Sequence, residues 1–162
     1  MEIRPAVPAE FAAVGDVCVA AYASFSANSS MGYVDQLRDV ARRAAAAVVL
    51  VAADPGGRVL GTVTFVPDGG PLGEIAGPAE TEFRMLAVDP SAQGRGVGAA
   101  LLARVLDASR GRGKTGVACS SRPEMRAAHR VYESAGFRRA PQRDWSPTAG
   151  VRLLAFVTAL GA

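Results

Sequence analysis

The sequence predicts one mixed α/β domain of about seven strands and about four helices, closing on an antiparallel ribbon. Three observations carry that expectation. The chain has 162 residues, the usual length of a single domain able to bury its own core. Its apolar residues switch repeatedly between the two-residue period of strands and the i, i+3, i+4, i+7 spacing of helices. No internal repeat or linker interrupts that alternation.

In chain order, residues 2–5 read as a short first strand. Residues 8–24 read as a helix whose apolar face carries Phe11, Val14, Val17 and Cys18. A second helix is expected over 35–46, with Leu37, Val40 and Ala41 turned inward. Residues 48–52 form a strand, and Asp54-Pro55-Gly56-Gly57 is a hairpin turn, because proline presets φ and glycine accepts φ > 0. Residues 58–66 return as the partner strand. The Pro/Gly-rich stretch 67–79 reads as a surface loop, and 81–88 is the next strand, ended by Asp89-Pro90. Val97, Leu101, Leu102, Val105 and Ala108 then build an amphipathic helix, followed by a strand over 116–120. Pro123 is expected at the first helical position of another helix. Ala128, Val131, Tyr132 and Ala135 fall on one face of it, and Gly136 is placed just past its end. Residues 137–143 and 151–159 complete the order as the ribbon.

Composition narrows the function classes. Hydrophobic residues are 49% and charged residues 20%, an ordinary globular balance. No apolar run is long enough for a membrane span, and the N-terminus has no secretory apolar region, so a cytoplasmic, non-membrane protein is expected. Cys18 and Cys119 lack C-x-x-C spacing and read as two reduced, partly buried thiols. The formal net charge is +3, compatible with a polyanionic small ligand. No Lys/Arg run reaches the length of a nucleic-acid arm. No His/Cys/Asp/Glu cluster has metal-ligand spacing, so no metal is expected.

Chemistry concentrates first at Gln93-Gly94-Arg95-Gly96-Val97-Gly98. Glycines at alternate positions between a strand and a helix let the backbone approach a ligand and turn successive N–H groups into one concavity. The helix start adds roughly half a positive charge, which suits a phosphate or pyrophosphate. A dinucleotide fold is the nearest rival, since Gly94, Gly96 and Ala99 fit G-x-G-x-x-A. That fingerprint follows the first strand of its domain and wants an acid about twenty residues on. Here several strands precede the loop, and 114–121 contains no acid.

The string Met85-Leu86-Ala87-Val88-Asp89-Pro90 followed by Gln93-x-x-Gly96-x-Gly98 resembles the signature of the GNAT superfamily of N-acetyltransferases, (Gln/Arg)-x-x-Gly-x-(Gly/Ala). The block from Ala128 through Tyr132 to Gly136-Phe137 is similar to the family's A-x-x-x-Y-x-x-x-G-F helix and strand. The element order agrees over nearly the whole chain. The resemblance implies a GNAT-like sheet, mostly antiparallel, splayed between strands 81–88 and 116–120, with acetyl-CoA as cosubstrate in the splay. Backbone groups of Leu86, Ala87 and Val88 would hold the acetyl and pantetheine portion. The amides from Gly94 and Arg95 through Gly96, Val97, Gly98 and Ala99, preceded by Gln93, would hold the pyrophosphate. The family transfers the acetyl group directly in a ternary complex, so neither cysteine need be a nucleophile.

A lysine-like amine has a pKa near 10.4, so under roughly 0.1% of it is neutral at pH 7. A base or a desolvated pocket must remove a proton before attack, and the departing thiolate needs a donor. Tyr132, with a reference pKa of about 10, suits the donor task. Two departures from the family pattern stand out. Met125 replaces an asparagine often found seven residues before the tyrosine, and Ser120 stands where some relatives carry a glutamate. Glu82 is then the candidate base, because period-2 counting puts it on the face of Leu86 and Val88 unless a bulge changes the parity. His129, the sole histidine, reads as an exposed or helix-packing residue rather than a catalytic one. Tyr22, Phe25, Tyr33 and Arg143-Asp144-Trp145 are candidates for the acceptor rim. Acetyl transfer to a small-molecule or peptide amine is the expected function; a module that binds acyl-CoA without turnover is the alternative, and a homodimer is left open.

Overall fold

Asp54 builds the turn that joins the second and third strands. Its carboxylate accepts the N–H groups of Gly56 and Arg58, both at 2.9 Å, and Gly57 supplies φ +86°, so β2 (Val48–Ala53) folds directly onto β3 (Val59–Val66). A computed structural model describes residues 1–26 and 31–161, with backbone alone at 24–26 and 31. The remaining strands are β1 (Glu2–Pro5), β4 (Glu80–Val88), β5 (Gly116–Ser121), β6 (Arg138–Arg139) and β7 (Leu154–Ala159). They form one seven-stranded sheet ordered β1-β2-β3-β4-β5-β7-β6. Every neighbouring pair is antiparallel except β4 and β5, which run parallel.

Helices cover both faces. Alternation along β2 sends Val49 and Val51 into one core with Val14, Val17 and Leu37, and Leu50 and Ala52 into another with Leu101, Leu102 and Val105. The first core lies under α1 (Phe11–Ser26), α2 (Met31–Arg38) and α3 (Val40–Ala46); the second lies under α4 (Val97–Gly111) and α5 (Arg126–Ser134). β3, buried at every residue, sits between them. Among the described residues no helix is long and apolar enough to cross a membrane.

Four sequence expectations need correction. The helix expected over 35–46 is two helices, because Asp39 interrupts it and caps α3 by accepting the N–H of Arg42 at 3.3 Å. The restart shifts the inward face, so Val40 and Arg43 are buried while Ala41 is exposed. The described residues hold five helices, in keeping with the expectation of about four. Pro123 is not at a first helical position; it lies in the turn before α5, which starts at Arg126. The strand expected over 137–143 shrinks to β6, because Pro141 lacks a donor for the ladder and opens a 3-10 turn, Pro141–Arg143. β7 begins at Leu154 rather than at 151 and inserts between β5 and β6.

Gly136 is where the sequence placed it. With φ +97° it donates to Glu133 O at 3.0 Å, and Phe137 N–H reaches back to Tyr132 O at 3.0 Å, the paired bonds of a Schellman end. That closure turns Phe137 into the core. Gly61 serves packing instead: a Cβ there would stand 2.7 Å from Val97 Cγ1 and 3.0 Å from Ala87 O. α4 therefore starts directly against β3. Gly61→Ala is expected to destabilise the fold by about 1–3 kcal/mol through overpacking, read as a lower urea midpoint; an unchanged midpoint would show that this contact does not set the position of α4.

Candidate active site

The parallel ladder of β4 and β5 is short. It runs from Glu80↔Gly116 to Phe83↔Cys119, while β4 continues to Val88 and β5 to Ser121. On its other side β4 carries a bulge: pairing with β3 steps from Thr64↔Arg84 to Thr62↔Ala87, two residues of β4 for one of β3. Met85 takes up that extra residue at φ +53°, the one positive φ among described non-glycine residues. The Leu86 carbonyl just beyond accepts a 3.0 Å hydrogen bond from the buried Tyr22 hydroxyl.

A cavity of about 650 Å³ opens where the strands part, within the usual range of small-molecule sites. Phe83, Arg84 and Met85 line it from β4, and Ser120, Ser121 and Arg122 from the end of β5. Tyr132 closes it from α5. The tyrosine is 4% exposed and meets Phe83 and Phe156 edge-on, at 5.5 and 5.3 Å between centroids. Burial drives its phenol well above the usual range; Cys119 adds to this, and a hydrogen bond with Ser121 opposes it. Tyr132 is thus a phenol that keeps its proton, as a donor requires. Ser121 Oγ also lies 3.0 Å from His129 Nε2, and burial is the first cause lowering the pKa of that imidazole. His129 packs as expected, 4.8 Å from the Phe156 ring, but it also joins the polar chain behind Tyr132.

Cys119 is completely buried, and burial first, then Glu82, pushes its thiol far up. Such a thiol is not a nucleophile.

Glu82 does not sit as period-2 counting placed it. The bulge reverses the parity of β4 between Glu82 and Leu86: Phe83 and Leu86 share one core, while Met85 and Ala87 join the other. Glu82 is 1% exposed, outside the cavity lining. Its carboxylate accepts the backbone N–H groups of Glu74, Ile75 and Ala76, each at 3.0 Å. Arg143 binds the same loop from the other side, through Ile75 O at 2.5 Å and Glu80 at 2.7 Å. Glu74 is the carboxylate on the cavity wall. Its side chain is 18% exposed, 3.6 Å from the Arg84 guanidinium, and burial is the first cause raising its pKa, against the lowering effect of Arg84. Counting along the sequence missed it, because only the folding of a Pro/Gly-rich loop brings Glu74 to β4.

The glycine loop lies at the other end of the seam. Gln93, Gly94, Arg95 and Gly96 are exposed. Gly94 and Gly96 have φ of +76° and +78°, and a Cβ built on either would find no atom within 4 Å. Gly96 is the N-cap of the 15-residue α4 and provides no side-chain cap, so the amides at Val97, Gly98 and Ala99 have no partner within the helix. An open backbone concavity at a positive helix end fits a pyrophosphate. Gly98 faces α5, and a Cβ there would meet Val131 Cγ1 at 3.5 Å, an ordinary contact. Leu86 and Ala87 are buried and Val88 half-buried, on the stretch of β4 that β5 leaves unpaired.

Of the expected acceptor-rim residues, Tyr22 and Tyr33 line the cavity; the Phe25 side chain lies outside the described residues. Arg143, Asp144 and Trp145 do not line it. Asp144 is taken up by Arg139 and Arg152, and Trp145 Nε1 donates to Ser120 Oγ at 2.9 Å. Met125 does line the cavity, so the side chain standing in for asparagine faces the same space as Tyr132.

Residues 15–137 match the sequence model of the acetyltransferase (GNAT) family. The mycothiol acetyltransferase of Beutenbergia cavernae is 42% identical over 64 residues, 40% of this chain and 22% of that protein; the match thus spans about a fifth of the curated relative's length. A GNAT-family acetyltransferase from Staphylococcus aureus Mu50 superposes with TM-score 0.76 at 13% identity, covering 99% of both chains. The Salmonella typhimurium protein yncA, solved with its cofactor acetyl-CoA, superposes with TM-score 0.65 at 24% identity over 99% of this chain and 94% of that one. These structural likenesses are likenesses of fold.

The geometry assigns Glu82 to holding the loop, and that can be separated from proton transfer. Glu82→Gln is expected to cost about 1.5–3 kcal/mol, the range for hydrogen bonds to a charged group, and to speed hydrogen exchange at residues 74–76. Lost turnover with unchanged exchange and stability would instead make Glu82 the base.

Proposed function

The chain belongs to the GNAT acetyltransferase family, and from that membership we propose that it transfers the acetyl group of acetyl-CoA to a primary amine. The observation that carries this reading is the unfinished β4–β5 ladder, with a buried, protonated Tyr132 on its wall. The thioester supplies an activated acetyl group and a thiolate leaving group. The chain's own residues do the rest. Gly94, Gly96 and the amides of Val97, Gly98 and Ala99, flanked by Gln93 and Arg95, cradle the pyrophosphate. The unpaired edge of β4 at Leu86, Ala87 and Val88 lies along the acetyl and pantetheine arm. Tyr132 donates its proton to the departing sulfur.

The amine must lose a proton before it attacks. Glu82 is committed to the amides of residues 74–76, so we assign that step to Glu74 on the cavity wall, with Glu82 as its positioning residue. The raised pKa of Glu74 brings a carboxylate closer to the working range of a general base. A second reading, acyl-CoA binding without turnover, is favoured by one observation, the absence of Glu82 from the cavity lining. Release of free thiol from acetyl-CoA and an amine panel separates the two.

The kinetic expectation follows from both proton positions. Tyr132→Phe keeps the packed ring and lowers kcat on the order of 10²-fold. Because burial holds the phenol above its ordinary value, loss of the Tyr132 proton leaves no alkaline limb below about pH 10. A base works when deprotonated, so kcat rises with pH as Glu74 ionises, at a midpoint above that of an ordinary carboxylate. Glu74→Gln removes that limb. No thiol release with any amine removes the enzyme reading; an unchanged limb in Glu74→Gln removes Glu74 from the mechanism.

A further inference from the structure

The cavity wall carries more positive than negative charge. Arg84 and Arg122 face it against one carboxylate, Glu74. Arg84 is engaged, with Nε 3.6 Å from Glu74 and Nη1 donating to Leu72 O at 3.3 Å. Arg122 is not. Its guanidinium carbon lies 4.8 Å from the Tyr33 ring centroid, stacked over it, and among the described residues it makes no ion pair and donates no hydrogen bond. Its backbone is fixed, since Arg122 O accepts the Met125 N–H at 3.1 Å in the turn before α5. A half-buried guanidinium fork held over an aromatic ring is a receptor for a planar oxyanion.

That anion does not come from the pyrophosphate. The loop from Gln93 to Ala99 contributes no residue to this cavity, and its own amides suit that group. A plain alkylamine does not supply it either. It arrives as an ammonium ion, and a site with two guanidiniums for one carboxylate opposes it.

Building on the acetyl-transfer reading, we propose that the acceptor is a small primary amine that also bears a carboxylate or comparable oxyanion, its ammonium toward Glu74 and its anion against Arg122. The zwitterion adds no net charge to the wall, and its anion meets the guanidinium that has no ion-pair partner among the described residues. It also explains a cavity that carries Glu74 and Arg122 and is lined as well by Tyr22, Tyr33 and Met85, room for a modest apolar body. The reaction balances without further reagents: Glu74 takes one proton from the ammonium, and the freed amine nitrogen bonds to the acetyl carbon. The C–S bond breaks as Tyr132 gives its proton to sulfur, and the second proton lost by nitrogen restores Tyr132.

The test compares the L-α-amino acids, β-alanine and γ-aminobutyrate, each against its own carboxamide, by thiol release from acetyl-CoA. The expected result is a preferred acid whose kcat/KM exceeds that of its amide about ten- to a hundredfold, the scale of one charge-assisted contact. Arg122→Gln should erase the gap by lowering the acid and sparing the amide, with KM for acetyl-CoA unchanged. Equal use of acid and amide, or a gap that survives in Arg122→Gln, overturns the proposal. If CoA binds but no amine is acetylated, the acetyl-transfer reading has failed on its own. Calorimetric titration of the same acids and amides into the protein, with and without CoA, then decides the anion site: saturable binding of an acid that is lost in Arg122→Gln supports it, and its absence overturns it.

Discussion

Two parallel strands that pair for four residues and then separate leave backbone N–H and C=O groups facing one another across a gap. Buried backbone groups must find partners, so a fold that opens such a gap commits itself to filling it. Here the separation follows Phe83 and Cys119, just before β4 bulges at Met85. The Tyr22 hydroxyl reaches from α1 to satisfy the Leu86 carbonyl. The rest of that edge is free to meet a ligand. The cavity follows from this break, and the separation of Glu82 from Leu86 follows from the bulge beside it.

The bulge carries a cost in backbone strain, since a non-glycine residue at positive φ is disfavoured. It is held in place from both sides. Met85 packs into the α1–α3 core, while Leu86 packs into the α4–α5 core. Below it, Glu82 draws three loop amides onto its carboxylate, and Glu80 with Arg143 clamps the same loop. A stretch rich in proline and glycine therefore presents Glu74 at a defined place. Carboxylates divide into those that build the loop and the one that faces the cavity.

What the sequence disclosed was local. The glycine loop was legible because positive φ at Gly94 and Gly96 is a property of the residue type, and Gly136 was legible as a helix end for the same reason. The apolar period of 128–135 gave the inward face of α5, and with it Tyr132. Glu82 was misplaced because one extra residue at Met85 inverts a strand's parity, and no propensity marks that residue. Asp39 divides a helical pattern in two by capping the second half, a competition that apolar spacing at Leu37, Val40 and Ala41 cannot register. Glu74 and Arg122 sit in a loop and a turn. Their meeting depends on tertiary folding alone.

The central claim is that the open seam receives acetyl-CoA with its sulfur beside Tyr132 and its pyrophosphate on residues 94–99. A crystal structure of the protein with CoA tests this most directly. The account predicts the sulfur within about 3.5 Å of the Tyr132 hydroxyl, a near-attack distance, and phosphate oxygens on the amides at the start of α4. Phosphates bound elsewhere, or a sulfur outside reach of Tyr132, would contradict it.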